Sequence, residues 1–174
     1  MSARPEQFKA ATLRVQAALA QAGLDVQIVR VDEIARTAEG AATAVGATVG
    51  QIVKSLVFLS DGAPVMALVS GSNRLDTDKL AAETGGAITR ADAATVRDAT
   101  GYAIGGIPPL GHAKALPVYC DLDLLLHDVV WAAAGTPDTV FAVSPHQLVS
   151  AIGAHVGELA TRTTPSRAPE GGDG

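Results

Sequence analysis

Two apolar, β-branched runs, residues 52–59 and 64–70, flank the tripeptide Ser60-Asp61-Gly62, and this pair constrains the fold more than any other feature of the chain. Apolar runs bounded by turn residues read as strands, so the pair predicts a hairpin. Helical signals are scattered around it. Residues 5–22 place Phe8, Leu13, Val15 and Leu19 on one face and stop at Gly23. Residues 37–45 form an Ala-rich stretch closed by Gly46, and residues 76–83 carry acidic side chains in their first turn with Gly85-Gly86 beyond. Asp92 caps a helix through Asp98 that Gly101 ends, and Ser144-Pro145 opens a last one with Leu148, Val149 and Ile152 on its apolar face. Residues 25–31, 87–90, 116–120, 129–134 and 139–143 are further strand candidates. A strictly alternating βαβ sheet does not fit this order, whereas an α+β domain does. The expected organisation is a single domain over residues 1–160. Residues 161–174, TRTTPSRAPEGGDG, hold almost no apolar side chain, and a disordered tail is expected there.

Composition removes several classes of function. Among 174 residues there is one cysteine, Cys120, so no disulfide framework is possible, and no Cys/His cluster has the spacing of a zinc site. No metal or cofactor is expected, since no Gly-x-Gly-x-x-Gly or Walker-type loop follows a strand. No apolar stretch reaches the roughly 18 to 20 residues that span a bilayer, and the first seven residues lack the pattern of a secretory leader, so a cytoplasmic protein without membrane contact is expected. Thirteen Lys and Arg against 18 Asp and Glu leave a net charge of −5, the wrong sign for a general coat on DNA or RNA.

Two places break local rules. Lys54 and Ser55 stand inside the apolar run 52–59, and an ammonium there must reach water, a carboxylate or an anionic ligand. Its stem can equally run along the sheet and hold its head in solvent, with Ser55 an ordinary small strand residue. The second place is residues 101–112, where Gly105-Gly106 precedes Ile107-Pro108-Pro109. Glycines permit close backbone approach by a ligand and prolines stiffen the exit. The main-chain N–H groups of Gly105, Gly106, Ile107, Leu110 and Gly111 are then candidates to stabilise charge on a carbonyl oxygen, the alternative being a purely structural turn.

At these residues the chain resembles the YbaK/ProX family of aminoacyl-tRNA deacylases, whose domain also occurs inside bacterial prolyl-tRNA synthetases. The matching pieces are Gln51-Ile52-Val53-Lys54-Ser55-Leu56, Leu68-Val69-Ser70-Gly71, Leu75-Asp76 with Lys79-Leu80, Thr100-Gly101-Tyr102, Gly105-Gly106-Ile107-Pro108-Pro109-Leu110-Gly111, Leu116-Pro117 and Asp121, from about residue 23 to residue 152. The resemblance implies a mixed, largely antiparallel curled sheet or partial barrel with surrounding helices. It implies hydrolysis of the ester in a mischarged aminoacyl-tRNA, with the 3′ end of the tRNA as substrate and an aminoacyl-tRNA synthetase as partner. Carried over residue by residue, Lys54, Ser55 and Gly105 are the catalytic candidates, and Val31, Ser70, Gly71, Gly106, Ile107, Pro108 and Pro109 the substrate-binding ones. If Val31 lines the pocket, that pocket is small and apolar and suits small amino acids. Some family members carry an acidic residue near residues 138–140. His112 is expected as a solvated loop residue, Cys120 as a small buried strand residue, and Trp131 and Phe141 as core. A non-catalytic module associated with a synthetase, and a small-molecule esterase using the loop 105–109 as an oxyanion hole, are the alternatives.

Overall fold

In the computed structural model, which describes residues 8–31 and 37–161, the expected hairpin forms the spine of the molecule. Strands β2 (Val53–Ser60) and β3 (Ala63–Ser70) pair antiparallel along their full length, from Val53↔Ser70 to Ser60↔Ala63. Asp61 and Gly62 between them have φ of 48° and 83°. Positive φ at both central residues is the two-residue turn whose twist matches the strands it joins. Before the hairpin come α1 (Ala10–Gln21), β1 (Ile28–Arg30) and α2 (Ala38–Val45). After it come β4 (Arg74–Leu75), α3 (Thr77–Thr84), β5 (Ile88–Arg90), α4 (Ala93–Thr100) and β6 (Val118–Asp121). The chain continues through β7 (Val130–Ala133), β8 (Thr139–Val143), α5 (Pro145–Ile152), β9 (His155–Gly157) and β10 (Ala160–Thr161).

Local chemistry explains the helix ends. Asp76, Asp92 and Ser144 each accept a main-chain N–H of the first turn that follows, at α3, α4 and α5 respectively. Those helices end on Gly85, Gly101 and Gly153 in the left-handed conformation, which glycine adopts without strain.

Five strands form one sheet in the order β5-β2-β3-β6-β9, with β3–β6 and β6–β9 parallel, and β1-β8-β7 form an antiparallel sheet of three. A single parallel bridge, Ile52↔Trp131, ties the two together. The result is a mixed, curled, unclosed barrel with helices outside. The largest core cluster packs Met66, Leu68, Val15, Phe141 and Tyr102 together. The opposite face of β3, Val65, Ala67 and Val69, packs with Leu80 and Leu159 in a second cluster. Burial on both faces is why β3 reads as an unbroken apolar run rather than an alternating one.

The structure adds what the sequence reading left out: β4, β9, β10 and a 3-10 helix, Leu122–Leu126. The strand expected over residues 25–31 shortens to Ile28–Arg30. Thr161, assigned to the tail, pairs with Arg74 across β10–β4. The rest of the expected tail lies outside the described residues, as do residues 5–7 of the first helix.

Candidate active site

The site follows from how β2 is paired. β3 covers one edge along its whole length, but on the other edge β5 pairs only with Phe58, Leu59 and Ser60, and Ile52 only bridges to Trp131. Between these contacts, residues 54–57 pair with no strand on that edge among the described residues. A cavity of about 260 Å³ opens there, walled by α2, by β7 with Thr139 and Val140 of β8, and by the loop that carries Gly105. Lys54, Ser55, Gly105 and Ile107 all line it. Residues 51 positions apart in sequence meet because the two sheets separate at this point. A second cavity, of about 570 Å³, shares Ser55, Leu56, Ile104 and Ile107 with the first and adds Thr77, Thr89 and Arg90.

Lys54 is half-buried, and its ammonium donates to the main-chain carbonyl of Asn73. Burial lowers its pKa from the ordinary lysine value, the carboxylate of Glu39 opposes that shift, and the guanidinium of Arg74 adds to it. The cation expected to need a partner therefore has one neutral acceptor and an acidic neighbour. Beside it, the Oγ of Ser55 is buried with no hydrogen-bond partner among the described residues. An orphaned buried hydroxyl is rare and costs about 1–3 kcal/mol, so its presence on a cavity wall marks a place where a ligand can complete it.

The loop contributes in a narrower way than its sequence suggests. Gly105 has φ of 103°, a conformation in which a side chain is strained, and lies exposed at the cavity mouth. Gly106 is buried behind it, where a Cβ would sit 2.7 Å from Thr136 Cα and 2.8 Å from the Gly135 carbonyl. Its N–H donates to Ala103 and its carbonyl accepts from Gly135, so Gly106 offers nothing to a ligand. The N–H groups of Gly105 and Ile107 make no hydrogen bond among the described residues, leaving them as the available donors. Pro108 and Pro109 are buried and do not line the cavity, nor do Leu110 and Gly111.

Ser70, Gly71 and Val31 also stand behind the wall rather than on it. Ser70 is 1% exposed, and its hydroxyl donates to the Gly50 carbonyl at 2.7 Å and meets Ser72 Oγ at 3.0 Å. A Cβ at Gly71 would come within 2.6 Å of the Val49 carbonyl and 2.8 Å of Ala38 Cβ, so this glycine lets α2 close on the sheet. Val31 is buried and its N–H donates to the Asp138 carbonyl.

Of the remaining residues, Trp131 is only half-buried and forms part of the cavity wall instead of the core, while Phe141 is fully buried as expected. The walls from α2 and β7 were not anticipated at all. Their only sequence signal was a run of small residues, Ala38, Ala41, Ala132 and Ala133, which resembles ordinary helix and strand packing. Asp138 pairs with Arg30 at 3.6 Å and accepts from Thr136 at 2.7 Å. His112 is half-buried rather than freely solvated: its Nε2 donates to the Pro108 carbonyl at 2.7 Å and braces the loop, and burial lowers its pKa from the ordinary histidine value. Cys120 is 2% exposed with its thiol pushed up to about 12 by burial and by Asp121, which removes it as a nucleophile.

The geometry agrees with what comparison finds. The model of the aminoacyl-tRNA editing domain matches residues 32–151. A solved structure described as a candidate trans-editing enzyme for prolyl-tRNA synthetase superposes with a TM-score of 0.85 at 45% identity, covering 90% of this chain and all of that one. EbsC of Enterococcus faecalis, a candidate Cys-tRNA(Pro)/Cys-tRNA(Cys) deacylase, is 28% identical over 130 residues, 72% of this chain and 78% of its own. The proline–tRNA ligase of Citrifermentans bemidjiense is 36% identical over 100 residues, 56% of this chain but only 18% of that enzyme. With the matched segment spanning β2, the loop at Gly105 and both cavity walls, the chain belongs to the aminoacyl-tRNA editing domain family.

Proposed function

We propose that this protein hydrolyses the ester that joins a small, wrongly attached amino acid to the 3′-terminal adenosine of a tRNA. The observation that carries this reading is that Lys54, Ser55 with its orphaned hydroxyl, Gly105 and Ile107 all line one cavity. Its described wall has no Cys, His, Asp or Glu. The hydroxyl of Thr37 caps Gly40, and that of Thr139 lies in a chain with Thr12 and Thr136. A hydroxyl nucleophile needs an adjacent base, and none faces Ser55 among the described residues. The site supports catalysis by positioning and charge stabilisation, with water or the neighbouring ribose hydroxyl as the attacking group.

In this reading the aminoacyl side chain enters the smaller cavity and the terminal nucleotide lies toward the larger one. The ester then sits where they join, at Ser55 and Ile107. Negative charge that develops on the carbonyl oxygen meets the two loop N–H groups and the field of Lys54. Apolar walls of Ala, Val, Ile and Trp131 exclude large side chains by volume but separate small ones weakly, at about 1–3 kcal/mol per methylene. A synthetase that mischarges for the same reason is the natural partner.

A panel of charged tRNAs at fixed enzyme concentration tests the reading, with free aminoacyl esters as a parallel arm. Hydrolysis of Ala, Ser, Cys or Pro esters on tRNA, with Phe and Tyr esters spared, supports it. Cleavage of the free esters alone assigns the site to a small-molecule esterase, and binding without hydrolysis assigns it to a non-catalytic module.

A further inference from the structure

The hydrogen bond of Lys54 ends on a main-chain carbonyl in the turn after β3, so the direction of the ammonium depends on how firmly that turn is held. It is held from two sides. Within the turn, the Asn73 N–H donates to the Ser70 carbonyl at 3.0 Å and the Ser72 N–H to Ser70 Oγ at 3.3 Å, while Ser70 itself is fixed to Gly50. From outside, the Asn73 side-chain amide donates to Asp123 Oδ2 at 2.8 Å.

Asp123 stands on a buried support. Its N–H donates to Asp121 Oδ2 at 3.3 Å, and Asp121, 1% exposed, takes the N–H groups of Leu159 and Ala160 on its other oxygen at 2.8 and 3.2 Å. Ala160 and Thr161 then pair with Leu75 and Arg74, the residues that follow Asn73. A lysine stem has four rotatable bonds, and a half-buried head with no fixed acceptor spreads over many rotamers.

We infer that Asn73 and Asp123 are positioning residues for Lys54: the Asp123 carboxylate clamps the Asn73 amide, and the clamped turn presents the carbonyl that aims the ammonium at the cavity. Neither residue lines either cavity. The inference rests on the reading of Lys54 given above and goes beyond it, because it assigns function to residues outside the wall.

The test uses Asp123→Leu, which removes the clamp, and Asp123→Asn, which keeps a carbonyl oxygen to accept from the Asn73 amide. Deacylation kinetics on charged tRNA should show kcat about tenfold or more lower in Asp123→Leu with KM within about twofold, and recovery to near wild type in Asp123→Asn. A second readout needs no activity. Brief acetylation by acetic anhydride, read by peptide mass spectrometry with Lys114 as internal reference, should label Lys54 several-fold faster in Asp123→Leu and at the parental rate in Asp123→Asn. Should Asp123→Leu fail to fold, Asn73→Ala keeps the carbonyl, removes the clamp and should give the same two results. Parental labelling and parental kcat in a folded clamp-less variant overturn the inference. A Lys54→Ala protein with full turnover would sink the catalytic reading of Lys54, while the labelling would still decide whether the clamp holds it.

Discussion

Lys54 is a cation kept at the edge of a core. Its replacement by Ala leaves no buried charge unpaired and a half-exposed gap, so stability should change by about 1 kcal/mol or less. Deacylation should fall about 100-fold or more, the usual cost of losing a group aimed at developing charge. Lys54→Arg should restore little, because a planar guanidinium cannot reproduce a compact ammonium held on one carbonyl. Melting curves and single-turnover rates on charged tRNA check all three. Cys120 behaves oppositely: with its thiol near 12 and its sulfur in the core, iodoacetamide at pH 8 should not modify the folded protein and should modify it fully in guanidinium. Lys54 was legible in the sequence because an ammonium inside a strand violates a rule that can be stated in advance. Trp131 was not, because an aromatic residue in an apolar run looks the same whether it faces a core or a cavity. Asn73 was equally invisible, since the clamp proposed for it joins its side-chain amide to a carboxylate 50 positions away.

At the scale of elements, the loop after α4 separates two kinds of glycine. Gly105 needs its glycine for conformation: a Cβ there would find its nearest neighbour, Pro137, 3.8 Å away, but at φ of 103° it would be strained. Gly106 needs it for space. Gly105→Ala should therefore lower turnover strongly for a stability cost of about 1–2 kcal/mol. Gly106→Ala, which pushes against the backbone of the turn at Thr136, should lose both together; denaturant melts alongside deacylation rates separate the two outcomes. The last strand makes a further prediction. Leu159 is 1% exposed in the smaller core and its N–H is held by Asp121, so Leu159→Ala should destabilise by about 2–5 kcal/mol in denaturant titration. The hairpin and all five helices were readable because local signals fix them: an Asp-Gly turn, side-chain caps at α2 to α5, and at α1 an apolar face that stops at Gly23. Strands β4, β9 and β10 were not, because Arg74-Leu75, His155-Val156-Gly157 and Ala160-Thr161 form no apolar run and become strands only through their partners in space.

For the molecule as a whole, a net charge of −5 sets how it meets a polyanion. Lys54 and Arg90 line the two cavities and Arg74 acts on Lys54, so these three cations can neutralise about three phosphates of a single-stranded 3′ end. The logarithm of the binding constant should then fall against that of salt with a slope of about −2, far shallower than for a protein that grips a whole stem. Fluorescence anisotropy of a labelled acceptor-end oligonucleotide between 50 and 300 mM salt measures it. The partial barrel and its helices were foreseeable as a class, but the pairings that shape it were not, since parallel contacts between distant segments leave no mark on either one. Those pairings also set an order of events. Ile28 pairs with Phe141, so β1 waits unpartnered until residues 139–141, more than 100 positions later, have been made. The β2 hairpin can close early on local contacts, yet the wall opposite Lys54 arrives only with β7 and β8. Until then the open edge of β2 is an unpaired strand in an apolar segment, the kind of surface on which nascent chains stick to one another. The gap proposed to receive a substrate in the finished protein is thus, during synthesis, an exposed liability.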